Sequence, residues 1–307
     1  MRIVLAGVSG FLGTALSQRL SADGHQLVRL VRREVRGADE VRWDPAAGQL
    51  DVAALAGTDA VINLAGAGVG DRRWSAAYKQ VILDSRVDTT RTIAQTIAAL
   101  PAGQRPATFL SGSAIGWYGD TGENEVDESA PAGVGFLSDV CREWEAAADP
   151  AAQVGTRVVR LRTGLPLHRA GGFLQPQLLP FRLGLGGRFG AGRQWLPWIS
   201  LADWLRAMLF LLEREVSGPV NLVGPASVRN SEFARALGRA VHRPAVMPIP
   251  GFALRALLGE FAVEALKSTR AVPGVLRAQG FDFVHRDVDA ALRSALRDDL
   301  APSPSAS

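Results

Sequence analysis

The chain has 307 residues, 47% of them apolar and 21% charged, enough to bury a substantial core and unlike a disordered or fibrous composition. Its formal charge of +4 comes from 34 basic and 30 acidic side chains that are scattered along the chain, so no nucleic-acid partner is expected. The single cysteine, Cys141, permits neither an internal disulfide nor a cysteine-rich metal site, no apolar run nears the ~18 residues of a membrane span, and Gly7, Ser9 and Gly10 interrupt any export signal, so the expected compartment is the cytoplasm, with no membrane contact.

In chain order, Arg2 to Ala6 is a short apolar run, Phe11 to Ala22 sets Phe11, Leu12, Ala15, Leu16 and Leu20 at helical spacing, and Gln26 to Val31 is a second apolar run. This β-α-β pattern continues with a strand over 59–64, a long helix over 75–100, a strand over 107–110, a helix over 137–148 and a strand over 157–161. Residues 164–198 are rich in Gly, Pro and Arg without a clear period and read as irregular. An amphipathic helix over 201–213 and a strand over 219–223 follow, and from 231 the chain is mainly helical to about 296. The expectation is an α/β fold, a Rossmann-type doubly wound parallel sheet with a smaller, mainly helical C-terminal substrate lobe. The sheet domain would span 1–163, with 199–223 returning to it, the lobe 164–198 and 224–300, and 301–307 would be a frayed tail.

Between the first strand and first helix, Gly7-Val8-Ser9-Gly10-Phe11-Leu12-Gly13 spells GxxGxxG. In that context the glycines allow a tight turn, close approach to a pyrophosphate and close helix–strand packing, while the helix start offers free N–H groups and a partial positive charge. The second strand ends in Arg32-Arg33, with Glu34 too late for the acidic position that accepts ribose hydroxyls, so a 2′-phosphate and hence NADP(H) are expected. The other reading of the pair is two solvated arginines.

Further motifs are Asn63-Leu64-Ala65-Gly66, Asp84-Ser85-Arg86, Ser111-Gly112-Ser113-Ala114-Ile115-Gly116-Trp117-Tyr118-Gly119, Leu161-Arg162-Thr163-Gly164, Trp198-Ile199-Ser200 and Pro219-Val220-Asn221. With them the chain resembles, over almost its whole length, the extended, atypical short-chain dehydrogenase/reductase superfamily, in its epimerase-like branch with a C-terminal domain of unknown function. The resemblance implies a cofactor touched by Gly7, Ser9, Gly10, Phe11, Leu12, Gly13, Arg32, Ala65 and Gly66, with Arg33 beside it and Thr163 and Gly164 near the nicotinamide. It also implies Ser113 as the active-site serine. Tyr118 or a substrate group would supply the proton, and Arg86, Arg193 and Trp198 are candidate substrate contacts, the last two in a glycine segment suited to an anionic or planar small molecule.

One departure bears on the chemistry. The superfamily's Tyr-x-x-x-Lys pair cannot occur here, because the only tyrosines are Tyr78 and Tyr118 and the only lysines Lys79 and Lys267. Three readings follow in order: an NADP(H)-dependent oxidoreductase or epimerase acting on a small carbonyl, hydroxyl or nucleotide-sugar substrate; a non-catalytic NADP(H)-binding sensor or interaction protein; and a scaffold for RNA or protein. Monomer and homodimer both stay open. His25, His168, His242 and His285 show no ligand spacing and are expected on the surface or in loops, with no metal. Cys141 and Trp144 are expected in the core, and Glu123 to Glu128 in a solvated loop, with general-acid duty as its other reading. Asp84-Ser85-Arg86 faces either a ligand or, as a surface ion pair, solvent.

Overall fold

In the computed structural model, which describes residues 1–297, strand β1 (Arg2–Ala6) buries Ile3, Val4, Leu5 and Ala6 completely. A parallel strand covered on both faces has no solvent side, which is why it reads as a continuous apolar run. Helix α1 (Phe11–Ala22) leads to β2 (Gln26–Val31), which lies parallel to β1 with Ala6 opposite Leu30. These elements have the bounds expected from periodicity alone. Strand β3 (Glu40–Arg42), absent from the sequence reading, extends the sheet beyond β2; three residues are too few to carry a period.

On the other side of β1 lies β4 (Ala60–Asn63), followed by α2 (Ala76–Ala99) and β5 (Thr108–Ala114), then α3 (Phe136–Ala146). Strands Arg157–Thr163 and Gly218–Leu222 complete a seven-stranded sheet. From one edge the order is Gly218–Leu222, Arg157–Thr163, β5, β4, β1, β2, β3, the reversal on either side of β1 that marks a doubly wound sheet. The register sets Ala6 beside Asn63 and Asn63 beside Ser111, so β1 and β4 end at one level and β5 runs on past it to Ala114.

The chain forms two compact units. The first comprises Met1–Trp117, Gly135–Arg162 and Leu209–Pro219, around a core that includes Val4, Leu30, Val61, Ile93, Ile97, Phe109 and Val158. The second comprises Tyr118–Val134, Thr163–Met208 and the described residues from Val220 onward, around Leu167, Leu178, Phe181, Trp198, Phe233, Leu237 and Leu292. Within it, residues 164–198 are more regular than expected. They contain strands Leu165–His168 and Trp198–Ser200, which pair in parallel, and helix Gln175–Arg182. That helix is concealed in sequence by two prolines; Pro176 sits in the first turn, where a missing N–H costs nothing. The expected C-terminal helices are Asn230–Ala240, Gly251–Leu258, Ala262–Leu266, Gly274–Ala278 and Val288–Arg297. The expected frayed tail, 301–307, lies outside the described residues. Among the described residues no helix is long and apolar enough to cross a membrane.

Candidate functional site

The glycine motif separates into two jobs. Gly7 has φ +87°, and a Cβ on it would come within 2.6 Å of the Leu64 carbonyl carbon; a Cβ on Gly13 would lie 2.0 Å from the Gly7 carbonyl oxygen. Both are needed for the chain to pack against itself. Gly10 differs: its Cβ would meet nothing closer than 3.4 Å, so the protein's own atoms do not demand a glycine there. Gly10 is the N-cap of α1, no side chain caps the helix, and its first turn holds no acidic residue. Thr14 Oγ1 donates instead to the Val8 carbonyl (2.9 Å), bracing the loop. Ser9 and Gly10 are exposed, Phe11 and Leu12 half-buried. The result is the positive end of a helix with no capping side chain, no acidic residue in its first turn and room in front of it, which suits an anion.

At the end of β2 the two arginines part company. Arg33 forks onto Glu40, with NH1 at 2.8 Å and NH2 at 2.5 Å from its two oxygens, and the pair holds the Glu40 carboxyl down to about 2. Arg32 is exposed and has no ion-pair partner among the described residues.

At the carboxyl end of β4, buried Asn63 donates through Nδ2 to Thr90 Oγ1 (2.9 Å) and accepts through Oδ1 from the Ala65 N–H (3.0 Å). Thr90 Oγ1 also accepts from Trp144 Nε1 (3.0 Å), which ties α2 to α3. The Asp84-Ser85-Arg86 cluster resolves residue by residue. Asp84 stays on the helix surface with Gln80, Ser85 Oγ accepts from the Ala67 N–H (2.9 Å), and Arg86 NH1 donates to the Ala67 and Ile82 carbonyls (2.9 Å each). Arg86 stacks over Trp144 at 5.1 Å, and burial pulls its guanidinium below the usual arginine range.

Ser113, at the end of β5, is buried, and its hydroxyl donates to Glu145 Oε1 at 2.6 Å. Glu145, on α3, is gripped in turn by Arg162, with Nε 2.8 Å from Oε1 and NH2 3.0 Å from Oε2. The Arg162 guanidinium lies 4.0 Å over the Trp117 ring. Gly112 makes room for this arrangement, since its Cβ would lie 2.6 Å from the Trp144 ring. Sequence reasoning missed Glu145 and Arg162. A readable signal existed: Ser138, Cys141 and Glu145 fall at i, i+3 and i+7, one helical stripe, and all three are buried. Cys141 is buried as expected, and desolvation pushes its thiol up to about 12.

The expected contacts in the second unit have other surroundings. Tyr118 is buried and its hydroxyl donates to Asn221 Oδ1 (2.7 Å). Thr163 Oγ1 accepts from Trp204 Nε1 (3.3 Å), and a Cβ on Gly164 would lie 2.3 Å from the Pro197 carbonyl oxygen. Trp198 is a core side chain, 1% exposed, against Gly224, because the short strand that carries it runs through the centre of the unit. The tryptophan that arginines surround is Trp195, with Arg229 and Arg270 at 4.0 and 4.7 Å from its ring and Glu123 accepting from its Nε1. Arg193 is exposed and its carbonyl accepts from Arg229. The acidic stretch is only partly a solvated loop. Glu128 is buried and accepts from the Asn221 and Val275 N–H groups, and desolvation raises its carboxyl above the usual range. Of the histidines expected on the surface or in loops, His168 ends a strand and is buried, and His285 lies in a loop but is buried as well.

Comparisons with known proteins accord with this geometry. Residues 3–135 match the model of the NAD dependent epimerase/dehydratase family, and residues 249–295 match a domain of unknown function (DUF1731). The epimerase family protein Mb2239 of Mycobacterium bovis is 46% identical, over 94% of this chain and 96% of its own. The epimerase family protein SDR39U1 of Bos taurus is 39% identical, over 96% of this chain and 100% of its own. A crystal structure of human epimerase family protein SDR39U1 with NADPH superposes with a TM-score of 0.87 at 34% identity, over 97% of this chain and 100% of that one. The chain therefore belongs to the NAD dependent epimerase/dehydratase family.

Proposed function

We propose that this protein binds NADP(H) and is an oxidoreductase or epimerase for a small substrate whose reacting oxygen meets Ser113. The observation that carries the reading is Gly10, the one glycine of the motif that the chain's own packing does not require, at an uncapped helix start. Space and the positive end of a helix at that point fit a pyrophosphate. Arg32 fits a 2′-phosphate, because it is the arginine of the pair that Glu40 leaves free. The NADPH held by the human relative supports the same cofactor.

The bound cofactor would supply or accept hydride. The chain's own residues would orient the oxygen and manage its proton. Arg162 keeps its charge at any working pH and grips both oxygens of Glu145, so Glu145 acts as an acceptor. The single proton of Ser113 is thereby drawn to Glu145, leaving Oγ lone pairs to accept a hydrogen bond from a substrate hydroxyl. Tyr118 is assigned a supporting role in this reading, its hydroxyl being engaged by Asn221. That engagement, with the absent Tyr-x-x-x-Lys pair, also favours the second reading of a non-catalytic NADP(H) sensor.

The test is a titration with NADPH, NADP⁺, NADH and NAD⁺ followed by tryptophan fluorescence, then a panel of carbonyl substrates followed at the NADPH absorbance. NADPH should bind best, Arg32→Glu should weaken it by about 10–100-fold relative to NADH, and Ser113→Ala should lower turnover. Tight binding without turnover would favour the sensor; no dinucleotide binding would overturn both.

A further inference from the structure

Arg86 carries a charge that no side chain neutralises. Only its NH1 is bonded, to two main-chain carbonyls; among the described residues Nε and NH2 reach no acceptor and no carboxylate pairs with the guanidinium. Asp71 acts on it electrostatically but accepts from the Gly68 N–H, and Tyr78 and Cys141 are the other titratable groups around it. The Tyr78 hydroxyl donates to the Gly68 carbonyl, and Cys141 stays protonated. Arg86 is half-buried, and a cation partly removed from water costs free energy unless a counter-charge meets it. Carbonyl dipoles and the face of Trp144 offset only part of that.

Gly66 is the second observation. Its backbone is not in the left-handed region, so its conformation is open to any residue, yet a Cβ there would lie 3.2 Å from Arg86 Cγ and 3.4 Å from the guanidinium carbon. Gly66 itself is exposed. Glycine at 66 keeps a side chain off the Arg86 stem and off the NH1 side of its guanidinium at an exposed position of the loop. Nε and NH2 are the two donors that together form the fork matching the two oxygens of a carboxylate or phosphate.

We infer that Arg86 Nε and NH2 bind an oxyanion, a carboxylate or phosphate group of the molecule held at the carboxyl end of β4. The inference deepens the proposed function and rests on it for which molecule carries the anion, though not for the anion site itself. Two sources share this chemistry, an acidic substrate and the cofactor's own pyrophosphate.

The experiment titrates the full chain with inorganic phosphate, and separately with acetate, at an ionic strength held constant with sodium chloride. Tryptophan fluorescence and Tm are read for wild type, Arg86→Met and Arg86→Lys, each with and without saturating NADPH. Wild type should show saturable binding of at least one anion with a rise in Tm. Arg86→Met should lose it by roughly tenfold or more, and Arg86→Lys, which keeps the charge without the fork, by less. Binding that persists on the NADPH-loaded protein assigns the site to the substrate; binding that NADPH abolishes assigns it to the dinucleotide. No saturable response in wild type, or equal responses in wild type and Arg86→Met, would overturn the site. Should Arg86→Met fail to fold, the wild-type titration and Arg86→Lys still decide. NADPH binding without anion binding would defeat this inference alone, whereas loss of both would defeat the proposed function as well.

Discussion

Each unit of this protein buries a serine beside a carboxylate and a nitrogen base, and the two clusters do different things. In the first unit Ser113 donates to Glu145, which Arg162 grips through both oxygens. In the second, Ser200 donates to Asp203 (2.8 Å), and His285 Nδ1 lies 2.9 Å from Ser200 Oγ and 3.4 Å from Asp203 Oδ2. Ser200 stands just before helix Leu201–Glu213 and its Oγ accepts from the Asp203 N–H, so it is the helix cap; Asp203 also takes the Val284 and His285 N–H groups. Three residue types that suggest a catalytic triad are there an architectural knot, with the serine hydroxyl and both carboxylate oxygens occupied by neighbours. Ser113 lies near the carboxyl end of β5, two residues past the level where β1 and β4 end, and its Oγ keeps lone pairs. Composition of a cluster therefore says less about function than which of its atoms remain open.

Removing either acid tests this contrast most strongly. Glu145→Ala strands Arg162 without its counter-charge and should cost about 3–5 kcal/mol in urea denaturation. Asp203→Ala leaves two backbone N–H groups and a serine hydroxyl unpaired and should cost on the order of 2–4 kcal/mol. A loss under 1 kcal/mol for Glu145→Ala would mean that the Ser113 cluster is not held as described.

Acid separates the pair further. Hydrogen bonds from His285, Val284 and Ser200 outweigh burial and hold the Asp203 carboxyl below its ordinary range. The stability this contributes is complete above the unfolded carboxylate pKa of about 4 and is lost as pH falls through the lower folded value. Tm measured from pH 6 downward should therefore fall less steeply in Asp203→Asn than in wild type; parallel curves would refute the linkage.

The smallest effects discriminate best. Ser200→Ala removes a helix cap and should cost about 1 kcal/mol, with NADPH affinity unchanged. Ser113→Ala should cost about as much, yet it alone should depress turnover. Equal effects of the two substitutions on turnover would erase the distinction.

Much of the fold was legible because its signals are local. The bounds of β1, α1 and β2 follow from apolar spacing within windows of five to twelve residues, and the glycine loop between them announces itself by three glycines within seven positions, although the atoms that require Gly7 belong to the distant Leu64 and Ala65. The site was legible only where it shares that locality. Arg32 and Arg33 are identical in sequence, and only the return of the chain at Glu40 decides which stays free. Trp198 reads in sequence as a substrate contact, yet strand pairing buries it and leaves Trp195 among arginines.

The sequence by itself thus determined the doubly wound sheet, the dinucleotide loop and the absence of the Tyr-x-x-x-Lys pair, because periodicity, turn sterics and residue identity act over short stretches. Tertiary structure alone decided that Glu145 meets Ser113 across 32 positions of chain and Arg162 across 17, and that Arg86 is left without a counter-charge. Pairing and burial of charges depend on which segments approach in space, and polar residues on a helix or strand look solvated until a distant element covers them.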